Sequence, residues 1–436
     1  WAREAPKEGK GRARRQWWAA AIAGLAVLGV LAARWTSENP EERLLQPRRI
    51  SSSSGWATDP VLLPDGKSML YAADRAGEGR LAIWQRRLDG SEPRLVTRSD
   101  GDDFDPDVSP DGKWMVFRSR RAGAAGIYRQ DIAGGEAKLL APGGSWPRIS
   151  PDGKWVLYTV RNEQEWSLAT IFVMPAEGGM AQQLATKFAD AHYGIWSEDG
   201  KQILFCGTLE SNVPEREHDW WVIPFPEVAP AVKTGALPYL SAKFGPGLRV
   251  PANQYVEQPG TWIGGDVYFS SPKASVHSLW RLKLGPDFQV ARGTEPERLT
   301  QGTTIDSRPR VRRVNGKLQT VFSSGTYNID LWALPIEANQ GWAKGSPERV
   351  TSQPSMETYP GPDAAGKRLA YVGDATGERQ VYLRNLATNQ DRRLRASQQA
   401  QDYPVISRDG AWVAFRELQA PKVPIFLART QSEQVY

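Results

Sequence analysis

The sequence predicts an all-β fold, a β-propeller of about eight four-stranded antiparallel blades, on three observations. A short turn motif recurs at intervals of roughly 40 to 65 residues, a period typical of repeat architectures. Each turn opens into a strand-length run rich in β-branched and aromatic residues, such as Trp114-Met115-Val116-Phe117 or Trp155-Val156-Leu157-Tyr158. A second strand pattern and a shorter third follow in each repeat. Counting the strand that leads into the turn, every unit offers four strands.

The first three repeats carry the motif most clearly, as Asp59-Pro60-Val61-Leu62-Leu63-Pro64-Asp65-Gly66-Lys67, Asp105-Pro106-Asp107-Val108-Ser109-Pro110-Asp111-Gly112-Lys113 and Trp146-Pro147-Arg148-Ile149-Ser150-Pro151-Asp152-Gly153-Lys154. Weaker copies centre on Asp199-Gly200, Gly264-Gly265, Asn315-Gly316, Ala365-Gly366 and Asp409-Gly410. Glycine tolerates positive φ and aspartate bonds its own backbone, so the Asp-Gly pair closes a tight hairpin. The aspartates are therefore expected to be structural, and none shows the spacing of a calcium loop. Second strands are expected at Leu81–Trp84, Gly126–Tyr128, Ile171–Val173, Trp220–Ile223, Leu279–Trp280, Leu331–Trp332 and Val381–Leu383. Short closing strands are expected at Arg94–Thr97, Lys138–Leu140, Arg298–Thr300 and Arg349–Thr351. Residues 235 to 262, rich in Pro and Gly, fit the repeat worst and read as a long loop between the fourth and fifth blades. The last repeat ends at Tyr436 with little left for a fourth strand, so either the segment near Ile50 completes that blade or the natural chain continues.

The Ser-Pro-Asp-Gly-Lys turns followed by Trp-Met-Val-Phe or Trp-Val-Leu-Tyr resemble the TolB-type, WD-like repeats of bacterial propellers, over about residues 56 to 436. That resemblance implies a binding module rather than a catalyst. By the same resemblance, such propellers lie on the outer side of bacterial transmembrane serine/threonine kinases and of CadC-type winged-helix regulators.

Ahead of the repeats, Trp17 to Ala33 run for 17 residues without a charge, near the lower limit for spanning a bilayer. Trp17, Trp18 and Trp35 flank the run as interfacial aromatics would, and Arg3, Lys7, Lys10, Arg12, Arg14 and Arg15 precede it. The expected organisation is a basic cytoplasmic segment (1–16), a transmembrane helix (17–35), a linker (36–55) and the propeller (56–436). The positive-inside rule places the N-terminus in the cytoplasm of a bacterial inner membrane and the propeller in the periplasm or outside. A cleaved secretory signal is the competing reading of the same residues. The chain begins with Trp, so an effector domain is expected before it.

Of the formal charge of +6, residues 1–50 account for +5, with ten Lys/Arg against five Asp/Glu, leaving the repeats close to neutral. The sequence thus offers no basic face for nucleic acid, and the front cluster suits anionic lipid headgroups. A single cysteine, Cys206, lies in an apolar run and is expected to be an inert buried thiol. His192, His218 and His277 are expected in different repeats, without metal-ligand spacing. His218-Asp219 follows Glu215-Arg216-Glu217 in a charged stretch that could collect a ligand.

Propellers of this type also resemble the gating domain of prolyl oligopeptidases, but the chain has no G-x-S-x-G elbow and no Gly-rich phosphate loop. No catalytic residue, metal site or cofactor is assigned. The residues just before the recurring proline, Asp59, Asp105, Trp146, Tyr359 and Tyr403, with Tyr193 at the matching offset, start the strand leading into each turn. If that strand is innermost, they ring one mouth of the channel, where carboxylates and aromatics suit a protein or peptide ligand, with a carbohydrate as the alternative. The function expected is a non-catalytic extracytoplasmic sensor coupled to an upstream kinase or DNA-binding domain. The alternatives are a periplasmic TolB-like scaffold without signalling output and a propeller hydrolase.

Overall fold

Side chains along a strand alternate between its two faces, and in this chain each face of a blade packs on a different neighbour. The computed structural model describes residues 47–51, 56–75, 77, 79–162, 168–209, 218–244, 257–273, 276–301, 304–325, 329–337, 339–353, 355–375, 379–397, 399–418, 423–432 and 434–436. The basic segment, the apolar span 17–35 and most of the linker lie outside the described residues. Among the described residues no helix is long and apolar enough to cross a membrane.

The strands assemble in sequence order into antiparallel sheets. Six of the eight repeats, the first to fifth and the seventh, form four-stranded sheets; the eighth has three strands, and the sixth is split into two hairpins. The first strands of the blades are Ala57–Leu62, Asp103–Val108, Ser145–Ile149, Phe188–Trp196, Gln258–Ile263, Ile305–Val314, Glu357–Pro362 and Gln401–Ile406. The predicted turns connect first to second strands throughout. In blade three, Ser150 Oγ donates to Asp152 Oδ1 at 2.6 Å and accepts from the Trp155 amide at 3.0 Å, while Asp152 Oδ1 accepts from the Lys154 amide at 3.1 Å. The same Ser-Asp arrangement holds at Ser109/Asp111, Ser197/Asp199 and Ser407/Asp409. Gly153 sits at φ 73° at the tip. The turn aspartates are structural, as the sequence implies.

Alternation supplies the core. Leu157, Ile171 and Val173 of blade three meet Trp196, Ile203 and Phe205 of blade four. The opposite face of blade four, with Leu204, Cys206, Trp220 and Val222, meets Val267, Phe269 and Trp280 of blade five. Cys206 is a buried free thiol whose pKa burial pushes well up, in keeping with an inert residue. The stretch read as a long loop before blade five contains a helix, α1 (Ala236–Phe244), and the first strand of that blade. Ala236 and Leu240 of α1 join the same apolar cluster, and Pro238 in the first turn is compatible with a helix start. Asp219 accepts from the Gly235 and Leu237 amides at 2.8 and 3.0 Å, so it caps α1. The sequence pattern placed His218-Asp219 in a ligand-collecting loop; Asp219 is instead buried at the head of a strand.

Eight repeats are present, but the ring of first strands closes after six. Each of the first six inner strands neighbours the next, and the sixth neighbours the first. The inner hairpin of blade six places Val321 against Leu62, Met69 and Tyr71 of blade one. Ser323 Oγ accepts from the Asp59 amide at 3.1 Å. Ile50 packs on this same blade-one cluster, so it does not complete blade eight. The outer part of blade six instead packs through Leu331 and Val350 against Leu369 and Tyr371 of blade seven, and blade seven packs on blade eight. The far face of blade eight is open, with Val405 63% and Leu427 45% exposed; its last strand gains a single bridge, Ala428 to Val435, toward a fourth. The split of blade six explains the difference from a single eight-membered ring: its inner hairpin finds the acidic first strands of blades one and two, while its outer strands follow blade seven.

Candidate ligand site at the ring mouth

In every blade the inner strand carries a register shift against its partner at one level, for example between Thr58 and Val61 and between Phe104 and Asp107. A bulge leaves one residue unpaired and re-aims its side chain. In six of the eight blades the unpaired stretch contains the predicted residue. Asp59, Asp105, Trp146, Tyr193, Tyr359 and Tyr403 all have left-handed backbones, with φ between 49° and 56°. The proline that follows most of them excludes the right-handed helical region, and the left-handed region costs a non-glycine residue about 1–2 kcal/mol. Strain repeated at one level of successive blades marks a place where side chains are aimed rather than merely packed.

Four of the six come together. Asp59 and Asp105 are buried, and the Asp105 amide donates to Asp59 Oδ2 at 3.4 Å. Trp146 and Tyr193 meet edge to face at 4.9 Å. A seventh residue of the same kind unites the two pairs. Arg308, also left-handed at φ 56°, pairs with Asp59, donates to Asp105 Oδ1 at 3.1 Å, and lays its guanidinium over the Trp146 ring at 4.5 Å. Arg310 pairs with Asp107, whose other oxygen accepts from the Ile149 amide at 2.7 Å. Arg308 was legible in principle, since Arg308-Pro309 repeats the Xaa-Pro pattern in the sixth unit. Tyr359 and Tyr403 are not part of this cluster. They pack on each other at 4.6 Å in blades seven and eight, outside the closed cycle.

A narrow cleft of about 20 Å³ opens beside the cluster, lined by Trp146, Arg148, Tyr193, Gln258, Arg308 and Arg310 together with backbone at Gly194 and Gly260. Burial raises the Asp105 carboxyl above its ordinary value against the pull of Arg148 and Arg118. Burial, reinforced by Arg310, lowers Arg148 to about 10, so it stays charged at neutral pH.

His192 and His218, expected in different repeats, belong to blade four. Their rings stack at 5.9 Å, His192 Nδ1 lies 2.9 Å from Asp190, and His218 Nδ1 lies 3.0 Å from Thr208 Oγ1. His192 lies on the first strand of the blade and His218 just before its third, with the second strand, Gln202–Leu209, between them. Among the described residues no group of three or more His, Cys, Asp or Glu is placed to hold a metal.

Comparison with known proteins finds a family match over residues 43–171, to the TolB beta propeller domain. No curated protein matches the sequence. Among solved structures, TolB from Acinetobacter baumannii is similar at 21% identity and a TM-score of 0.42, over 55% of this chain and 54% of its own. The chain thus spans about half the length of that protein. A putative TolB from Agrobacterium tumefaciens is similar at 15% identity and a TM-score of 0.26, over 79% of this chain and 83% of its own. The β-propeller domain of the Trilobed protease from Pyrococcus furiosus is similar at 11% identity and a TM-score of 0.38, over 88% of this chain and 96% of its own. Residues 43–171 are thus similar to the TolB beta propeller domain.

Proposed function

We propose that the chain is a non-catalytic interaction module that takes a protein or peptide ligand at the ring mouth. The observation that carries this reading is the convergence of Asp59, Asp105, Trp146 and Tyr193, strained residues from four blades, around Arg308 beside an open cleft. A ring presenting charged and aromatic side chains from several strands at one concave end is the kind of site in which a few polar groups fix orientation. A carbohydrate is the weaker alternative, because sugar stacking needs an open aromatic face. Trp146 has Arg308 over its ring and meets Tyr193 edge to face.

In this proposal the apolar span 17–35 anchors the chain in a bacterial inner membrane, the propeller lies on the outer side, and ligand occupancy is relayed to an upstream cytoplasmic kinase or DNA-binding domain. The basic run before the span and its uncharged length support that layout. The propeller itself is given no part in nucleic-acid binding. A photo-reactive phenylalanine at Trp146 should crosslink a partner in intact cells, and one at Met180, 92% exposed on an outer hairpin, should not. Equal labelling from the two positions would sink the mouth as the binding surface.

A further inference from the structure

The first and second strands of three blades concentrate a charge that the composition hides. Arg118, Arg148, Arg161, Arg308, Arg310 and Arg312 come from blades two, three and six, and all feel one another or the three channel aspartates. Against these six guanidiniums stand Asp59, Asp105 and Asp107. Other carboxylates at the same end have local partners: Asp103 with Arg121 and Ser99, Asp190 with His192 and the Ala169 amide. The excess is positive and sits within low-dielectric walls, where a fixed charge acts more strongly than on an open surface.

One of these arginines lacks the acceptors its geometry calls for. The Nη1 of Arg148 donates to the neighbouring Pro147 carbonyl at 2.8 Å, while its Nε is buried and meets no acceptor among the described residues. Arg148 lines the cleft together with Arg308 and Arg310. A guanidinium offers five donors in a planar fork suited to a carboxylate. An unused buried donor of this kind is destabilising until something accepts from it.

We propose that the cleft binds carboxylate side chains of an acidic peptide segment, with Arg148 as the donor that receives the carboxylate and Arg308 and Arg310 shaping the pocket around it. This rests on the ring-mouth reading above and adds the chemistry of the ligand to it. Acidic peptide is favoured over acidic sugar because Arg308 already lies over the Trp146 ring, whereas charge-assisted bonds to arginine need no open ring. The three aspartates hold the arginines apart and in place, so that the ligand meets an ordered set of donors and not a flexible cloud of charge.

The test is fluorescence anisotropy on the full chain with a labelled alternating Glu-Gly peptide and its Gln-Gly counterpart. Because residues 1–15 are themselves basic, the comparison of variants, and not the absolute signal, carries the result. The Glu-Gly peptide should bind more weakly as salt rises, the Gln-Gly peptide should not bind, and Arg148→Gln should weaken binding at least about tenfold with an unchanged thermal melt. If Arg148→Gln does not fold, Arg148→Lys, which keeps the charge but loses the planar fork, provides the same comparison. Equal affinity of a folded arginine variant and the unaltered protein overturns the proposal. So does displacement of the peptide by a galacturonate oligomer that binds more tightly, which would make the ligand an acidic sugar. Binding of the Gln-Gly peptide that Trp146→Ala abolishes would overturn the acidic class yet leave the ring mouth as the binding surface.

Discussion

Arg308 and Asp59, 249 positions apart in the chain, form an ion pair that joins blade six to blade one at the inner end of the ring. The pair is reinforced by Asp105, at 3.1 Å from the same nitrogen. Neither carboxylate has much water; Asp59 pairs with this guanidinium, and Asp105 shares it with the nearby Arg148, Arg118 and Arg310. Arg308→Ala is expected to cost about 2–3 kcal/mol, most of it from two buried charges left behind. Arg308 is itself one-third exposed, which keeps the figure below that of a fully buried pair. Urea unfolding of the variant checks it, and an unchanged midpoint would mean that the seam is held by Val321 and Ser323 alone.

The Asp-Gly turns should behave as repeated, independent stability elements. Ser150→Ala removes a hydroxyl that bridges Asp152 and the Trp155 amide, and a loss of about 1 kcal/mol is expected. Ser109→Ala should match it, and the double variant should be additive, since the two turns share no partner. Denaturant melts of the three variants provide the measurement.

Blade faces differ sharply in their tolerance of truncation. Leu204 is fully buried between blades four and five, and Leu204→Ala should cost about 3 kcal/mol through lost transfer energy and a residual cavity. Val405 lies on the open face of blade eight. Val405→Ala should fall within about 0.5 kcal/mol of the unaltered protein. A large loss at Val405 would show that this face is covered in solution, and sedimentation velocity would tell whether a second copy covers it.

Acid should weaken the fold through His218. Burial, with His192 close by, lowers its pKa from 6.5 to about 3. The folded state therefore keeps the ring neutral while the unfolded chain protonates it below 6.5. Its contribution is complete above pH 6.5 and declines as the pH falls from there toward 3. The turn aspartates Asp111 and Asp152 are held below 3.8, chiefly by their serine and backbone partners acting against burial at Asp152, and their contribution is lost only below that value. His218→Gln should flatten the pH dependence of the urea midpoint between pH 6.5 and 4 and leave the steeper loss below pH 4 in place.

The sequence by itself determined the repeat, the turns and the level of the residues before the recurring prolines, because these are local. Gly153 closes its turn whatever surrounds it, and Pro60, Pro106 and Pro147 restrict the residue before them through steric contact along a single stretch of backbone. The same locality makes Asp59, Asp105, Trp146 and Tyr193 recognisable as equivalent positions. It says nothing about which of them share a space. Tyr359 and Tyr403 have the same local signature, yet they pair with each other because the inner hairpin of blade six closes on blade one. That closure depends on Arg308 and Arg310 meeting aspartates some 200 residues away, which no periodicity encodes. The charge of the mouth was hidden for the same reason: a near-neutral composition averages over arginines that only the tertiary structure brings together. His192 and His218 lie 26 positions apart in the sequence, and their rings meet because the first and third strands of blade four both pair with the second strand between them.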